Sequence, residues 1–404
     1  MNEISRARWK LMGGIFLVII LIHIVIISCI ASGHRARAAA NAQLPPPTPV
    51  AAQGAAVPDT PEIKKPEEKK PEEKKPEEKK SGGFWSWLFG GGKKEEAKVE
   101  PKTETVIPPK TWRYKKPSDN PMFGKPFNYA FAKRGDLSAK EAPGSSGATS
   151  GIMIDMNTRN VLWEKNSSKP VPIASMVKMM TLLLAFEGLE DNPALSLESP
   201  VKISPEVLKI ARTGIVWLDP RETLPLSDLM KAAAIKSAND AAVQIALFFS
   251  NENQDAFVTR MNAKALELGM TGSHFVSPCG LPDKKKGNSV STARDMTILG
   301  EHLLEYPKFI EWSTTKVDYI RSGDKKTMLN ATNRLINPHW PGVDGIKTGY
   351  TDDAGYCLTF SALRDGRRIV GCITGFPSAR TGRDPFARKL IDWGYKRAAE
   401  LDKK

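Results

Sequence analysis

Hydrophobic positions fall into several patterns along the chain, and each predicts a different kind of element. From Leu11 to about Ala31 they run together without a charged residue, preceded by Arg6, Arg8 and Lys10. A run of that length spans a bilayer core, with its basic end held on the cytoplasmic side. Secretory signals have shorter apolar cores, so the stretch predicts an uncleaved signal anchor over residues 11–32, behind a basic segment over 1–10. Two alternatives stay open: cleavage within Ala38-Ala39-Ala40-Asn41-Ala42, or lipidation of Cys29 in Ile26-Ile27-Ser28-Cys29. All three leave the rest of the chain outside the cytoplasm. The anchor makes it a single-pass protein of the cytoplasmic (inner) membrane.

Residues 33–142 lose the apolar period. Pro45, Pro46 and Pro47 hold the backbone extended, and a Lys-Lys-Pro-Glu-Glu repeat runs from Lys64 to Lys80. Such a stretch cannot bury enough apolar surface to fold, so it predicts a disordered tether. As a random coil, ~110 residues span roughly 60 Å, and proline and charge extend them further. Phe84-Trp85-Ser86-Trp87-Leu88-Phe89 interrupts the polar pattern as a candidate contact with a membrane interface or a partner. Residues 122–131 are aromatic enough to pack on the domain that follows.

From 143 to 404 the periods are those of a globular domain. Residues 151–155 and 160–164 flank Met156-Asn157-Thr158-Arg159 and predict a β-hairpin. The run from Ser175 to Phe186 is apolar almost all round, which predicts a central, buried helix. Mostly helical segments continue to about Tyr306. Strands are then expected at 317–320, 345–348, 356–361 and 368–373, with a turn at Asp365-Gly366 and a closing helix at 386–398. Strands at both ends with helices between them predict an α+β fold: one antiparallel sheet flanked by helices, with an inserted helical subdomain.

Charge and cysteine usage sharpen this picture. The chain carries a formal +14. Residues 1–142 hold 25 Lys and Arg against 16 Asp and Glu, and the remainder holds 34 against 29, so most of the excess lies in the tether. A basic tether fits proximity to a membrane or cell wall, and no nucleic-acid-binding motif accompanies it. Cys29, Cys279, Cys357 and Cys372 have no metal-ligand spacing, so no metal or cofactor is expected. A hairpin turning at Asp365-Gly366 places Cys357 and Cys372 diagonally on one face, which favours two packed thiols over a disulfide.

The candidate chemistry starts at Pro172-Ile173-Ala174-Ser175-Met176-Val177-Lys178. A helix beginning near Ser175 puts its hydroxyl and the Lys178 amine on one face, three residues apart. A lysine with a lowered pKa can take the serine's proton, giving an activated nucleophile without histidine. Ser237-Ala238-Asn239 follows an alanine-rich helical stretch, and Lys347-Thr348-Gly349 ends a short strand. Ser-x-x-Lys, Ser-x-Asn and Lys-Thr-Gly in this order form a known catalytic set.

With their flanks, among them Asn239-Asp240-Ala241-Ala242-Val243, Gly280-Leu281-Pro282-Asp283, Ser291-Thr292-Ala293-Arg294-Asp295 and Asp344-Gly345-Ile346, residues from about 150 to 398 resemble the low-molecular-mass penicillin-binding proteins of the D-alanyl-D-alanine carboxypeptidase type. The resemblance implies a serine DD-peptidase acting on peptidoglycan stem peptides that end in D-Ala-D-Ala, with β-lactams as covalent inhibitors. It makes Ser175 the nucleophile, Lys178 the base, Asn239 a holder of Lys178 and substrate, and Ser237 the relay to the leaving amine. Lys347 and Thr348 would bind the terminal carboxylate, and Gly349 would let substrate lie along the strand. The backbone N–H groups of Ser175 and Tyr350 would form the oxyanion hole, and Arg383 would stand near the carboxylate. Ala238 replaces the commonest glycine, and Cys279 stands where histidine is usual. The chain ends soon after the closing helix, without room for the β-rich second domain of some relatives; related endopeptidases that cut D-amino-acid cross-links also lack that domain, so an endopeptidase stays open as the alternative to the carboxypeptidase. A class A β-lactamase would need a Glu-x-x-x-Asn stretch between Asn239 and Lys347, and none is present. A non-catalytic wall-binding protein would not need every catalytic position filled.

Overall fold

The computed structural model of the chain describes residues 118–336, 340 and 342–403. The expected anchor, most of the expected tether and the Phe84–Phe89 patch lie outside these residues. Among the described residues, no helix is long and apolar enough to cross a membrane.

The expected sheet is present. Its six strands run in the spatial order Lys133–Arg134, Val161–Lys165, Ser150–Asp155, Arg367–Phe376, Gly355–Arg364 and Val343–Thr351. All pairings are antiparallel except that of the short Lys133–Arg134 edge, which is parallel. Asp365 and Gly366 both take positive φ, 49° and 77°, as a two-residue turn of the primed type requires. Val317–Ile320 is a strand, but it pairs with Thr327–Asn330 in a separate two-stranded ribbon.

Alternation along the strands divides the apolar residues between two cores. Ile152 and Ile154 point into the larger one, shared with the Lys178–Asp191 helix and the inserted helices. Met153 points the other way, joining Trp163, Leu358 and the closing helix Asp384–Leu401. That helix starts with Pro385 in its first turn, where a missing N–H costs nothing. The Lys178–Asp191 helix is buried from Lys178 to Phe186, which its nearly uniform apolar composition foretold.

Two expectations are corrected. The helix does not begin at Ser175: Ala174–Val177 is a tight 3₁₀ turn, Ala174 has φ 48°, and the α-helix starts at Lys178. The folded region also begins before 143. Asn128 exchanges backbone hydrogen bonds with Arg159 and Val161 at 2.9 and 2.8 Å, and the Trp163 indole donates to the Gly135 carbonyl at 2.8 Å. Buried Arg159 pairs with buried Glu301 and donates to the Lys125 carbonyl at 2.6 and 2.9 Å. Phe127 and Tyr129 pack against the larger core, as the aromatic content of 122–131 suggested.

Candidate active site

Ser175 stands on a turn that two glycines allow to be approached closely. Gly280 has φ +83°, and a Cβ there would lie 2.1 Å from the Ala174 carbonyl oxygen and 3.0 Å from the Ser175 nitrogen. A Cβ on Gly349 would lie 2.6 Å from the Ile173 carbonyl. Gly349 therefore has no side chain because the Val343–Thr351 strand closes on the serine turn. Gly349 also lines the cleft. The turn is thus held from both sides, with the positive φ of Ala174 stored between them. Gly280→Ala should push the Ser175 backbone aside without touching any reacting group. Displacements of about 1 Å can cost ~10²-fold, so acylation by a labelled penicillin should slow by about that factor. A wild-type acylation rate in stopped-flow would show that the turn tolerates the shift.

Lys178 is fully buried, and its Nζ donates to Ser175 Oγ at 2.9 Å, Asn239 Oδ1 at 2.7 Å and the Cys279 carbonyl at 2.5 Å. Burial pushes its pKa down to about 8, opposed in part by the Cys279 side chain and the Asp240 carboxylate. Lys347, also buried, donates to Ser237 Oγ at 2.7 Å and to the Thr348 carbonyl at 3.1 Å. Burial, then the charges of Lys178 and Arg383, hold its pKa well below the ordinary lysine value. Two hydroxyls, each within hydrogen-bond reach of a buried amine, therefore face one space. Ser237 has φ 63°, a left-handed conformation at the end of a wide π turn over Ala232–Lys236. Thr348 Oγ1 lies 2.7 Å from Thr332 Oγ1.

These groups open on a cleft of about 330 Å³ whose lining includes Ser175, Ser237, Asn239, Thr348, Gly349 and Tyr350. The Tyr350 side chain is exposed, stacks on Tyr356 with ring centroids 4.2 Å apart, and donates to Asp352 at 2.9 Å. Arg383 also lines the cleft, but it is buried and bound to Asp384 at 2.7 Å and to the Cys357 carbonyl at 3.2 Å. Cys279, Cys357 and Cys372 are free buried thiols. Burial raises the last two, Cys357 to about 11.

Sequence reasoning missed several supporting groups. Asn239 donates to the Thr213 carbonyl at 2.7 Å, and its backbone N–H donates to the Gly214 carbonyl at 2.7 Å. Buried Asp240 accepts from the Val216 and Leu218 N–H groups at 3.1 Å, so it fixes the loop that fixes Asn239. An acid next to a motif asparagine was the available signal. Of Cys279, it is the backbone carbonyl that meets Lys178, and no residue identity announces that.

Comparison with known proteins agrees with this geometry. Residues 137–377 match the peptidase S11 family, described as D-alanyl-D-alanine carboxypeptidase. The chain is 37% identical over 267 residues to the D-alanyl-D-alanine carboxypeptidase DacF of Bacillus subtilis, covering 66% of each chain. It is 34% identical over 211 residues to a D-alanyl-D-alanine endopeptidase of Pseudomonas aeruginosa, covering 52% of this chain and 65% of the relative. It thus spans just under two thirds of the length of these two relatives. Penicillin-binding protein D2 of Listeria monocytogenes, solved in its ampicillin-bound form, superimposes with a TM-score of 0.54 at 29% identity. That match covers 62% of this chain and 98% of the other. Arg383 falls outside the family match, whereas Ser175, Lys178, Ser237, Asn239 and Lys347 fall inside it. With the match covering more than half of its length, the chain belongs to the D-alanyl-D-alanine carboxypeptidase family of serine peptidases.

Proposed function

We propose that this protein is a serine-type D-Ala-D-Ala carboxypeptidase that acts on peptidoglycan stem peptides and is acylated by β-lactams. One observation carries the reading: a buried lysine, with its pKa pushed down to about 8, lies 2.9 Å from the hydroxyl of Ser175. Neutral Lys178 takes the Ser175 proton as Oγ bonds to the carbonyl carbon of the scissile amide. The N–H groups of Ser175 and Tyr350 hold the developing oxyanion. As the carbon–nitrogen bond breaks, the proton passes through Ser237 to the departing D-alanine nitrogen. Water then hydrolyses the Ser175 ester and restores the hydroxyl. Lys347 and Thr348 receive the terminal carboxylate, and Asn239 keeps Lys178 aimed at the serine. Arg383, bound to Asp384, adds a partly balanced positive charge behind the carboxylate end.

The test is release of D-alanine from a defined peptide ending in D-Ala-D-Ala, with its C-terminal amide as control. The free acid should be cleaved and the amide spared, since the carboxylate is the anchor. Absence of release by folded protein would overturn the reading. We place this activity outside the cytoplasmic membrane, on the apolar run after Leu11. N-terminal sequencing of protein from salt-washed membranes should read Met1. A start at Asn41, or a lipidated Cys29, would replace the uncleaved anchor.

A further inference from the structure

Thr332 touches both of the segments that frame the far side of the cleft. Its Oγ1 lies 2.7 Å from Oγ1 of Thr348, on the Val343–Thr351 strand. Its backbone N–H donates to the Ile235 carbonyl at 3.2 Å, within the π turn that delivers Ser237. The chain on either side of it is pinned. The Ala331 N–H donates to the Lys316 carbonyl at 2.9 Å, and buried Asn333 accepts from the Leu335 N–H at 3.0 Å through Oδ1. Thr332 lines the cleft and is exposed to it, whereas Thr348 beside it is buried.

A hydroxyl has one proton and two lone pairs, so one member of this pair donates and the other accepts. If Thr348 gives its proton to Thr332, it meets a carboxylate with lone pairs alone, and the oxygens repel. If Thr332 gives its proton to Thr348, the Thr348 proton is left for the carboxylate. We propose that Thr332 is a positioning residue: by donating to Thr348, it turns the Thr348 hydroxyl proton into the cleft, towards the substrate carboxylate. The inference rests on the acyl-transfer reading above, in which Thr348 helps to hold that carboxylate, and it adds a residue outside the three motifs. Hydrogen bonds in a chain polarise one another, so Thr332 behind Thr348 strengthens the bond that Thr348 makes. A substrate lying over the cleft also shields Thr332 from the water that competes for its hydroxyl.

The experiment measures acylation by benzylpenicillin, which carries a carboxylate, and by its methyl ester, which does not, using mass spectrometry of the intact protein over time. Wild type, Thr332→Val and Thr332→Ser are compared, with the melting temperature as the check on folding. Valine keeps the shape and removes the hydroxyl, whereas serine keeps the hydroxyl. The net effect of one hydrogen bond corresponds to roughly two- to tenfold, so Thr332→Val should react with the free acid more slowly by about that factor, through weaker binding before the chemical step. Its rate with the ester should stay at the wild-type value, and Thr332→Ser should match wild type with both compounds. An acid-to-ester ratio in Thr332→Val equal to that of wild type would overturn the proposal. So would a Thr332→Ser variant that loses as much as the valine variant. If wild type is acylated by neither compound, the acyl-transfer reading falls, and this inference with it.

Discussion

Ser175→Ala is expected to abolish D-alanine release and covalent labelling by penicillin together. Both depend on one oxygen, the hydroxyl held 2.9 Å from the Lys178 amine. Removing it leaves the cleft, Lys347 and Thr348 unchanged in shape, so substrate and drug can still bind. The β-lactam carbonyl has nothing to bond to, and the drug should leave on gel filtration or denaturation. Residual turnover would then come only from oriented water, orders of magnitude below wild type. The substitution removes one small polar atom from a site that opens to solvent, so the melting temperature should barely move. Mass spectrometry of the intact variant after exposure to penicillin gives the answer. An adduct of unchanged mass and rate would mean that another residue is the nucleophile. Ser237, within reach of the buried Lys347, would then be the next to test.

Side-chain chemistry was legible in the sequence because motif spacing survives local misreading. Ser175 and Lys178 meet although the helix starts three residues later than the apolar pattern suggested, because a 3₁₀ turn running into an α-helix still stacks residues three apart. The two sheet hairpins were legible because alternation and turn residues are local signals. The backbone's part was not. The third acceptor of Lys178 is a carbonyl, and the reason for glycine at 280 and 349 is a neighbouring carbonyl from a distant segment. The same applies to residues 118–142. Their aromatic content announced packing, but what holds them, main-chain bridges and the Arg159–Glu301 pair 142 positions apart, has no local signal. Asp240 is intermediate: its sequence position was visible, but its contacts with the Val216 and Leu218 N–H groups depend on the path of the 213–218 loop.

Lys178 should give the steepest pH dependence of any group in the site. The base works only as a neutral amine, and burial has brought its pKa down to about 8. Below that pH the ammonium form dominates and the Ser175 proton has nowhere to go. Above it the amine is free to accept. Acylation kcat/KM should therefore rise with pH and reach half its plateau near 8. For stability the sign is the same. The unfolded lysine keeps its ordinary value of 10.5, so between about 8 and 10.5 the unfolded chain binds more protons, and this group favours folding increasingly as pH rises. Lys178→Ala should slow acylation by about 10²–10⁴-fold, the usual cost of a general base, and remove the limb near 8. Lys178→Arg separates charge from basicity, because a guanidinium stays protonated across this range. It should be as inactive as the alanine variant at every pH, with near-UV circular dichroism confirming that it folds. If either variant keeps a limb at the wild-type position, the group that titrates there is not Lys178. Lys347, buried and pushed the same way, then becomes the base that the Ser175 hydroxyl answers to.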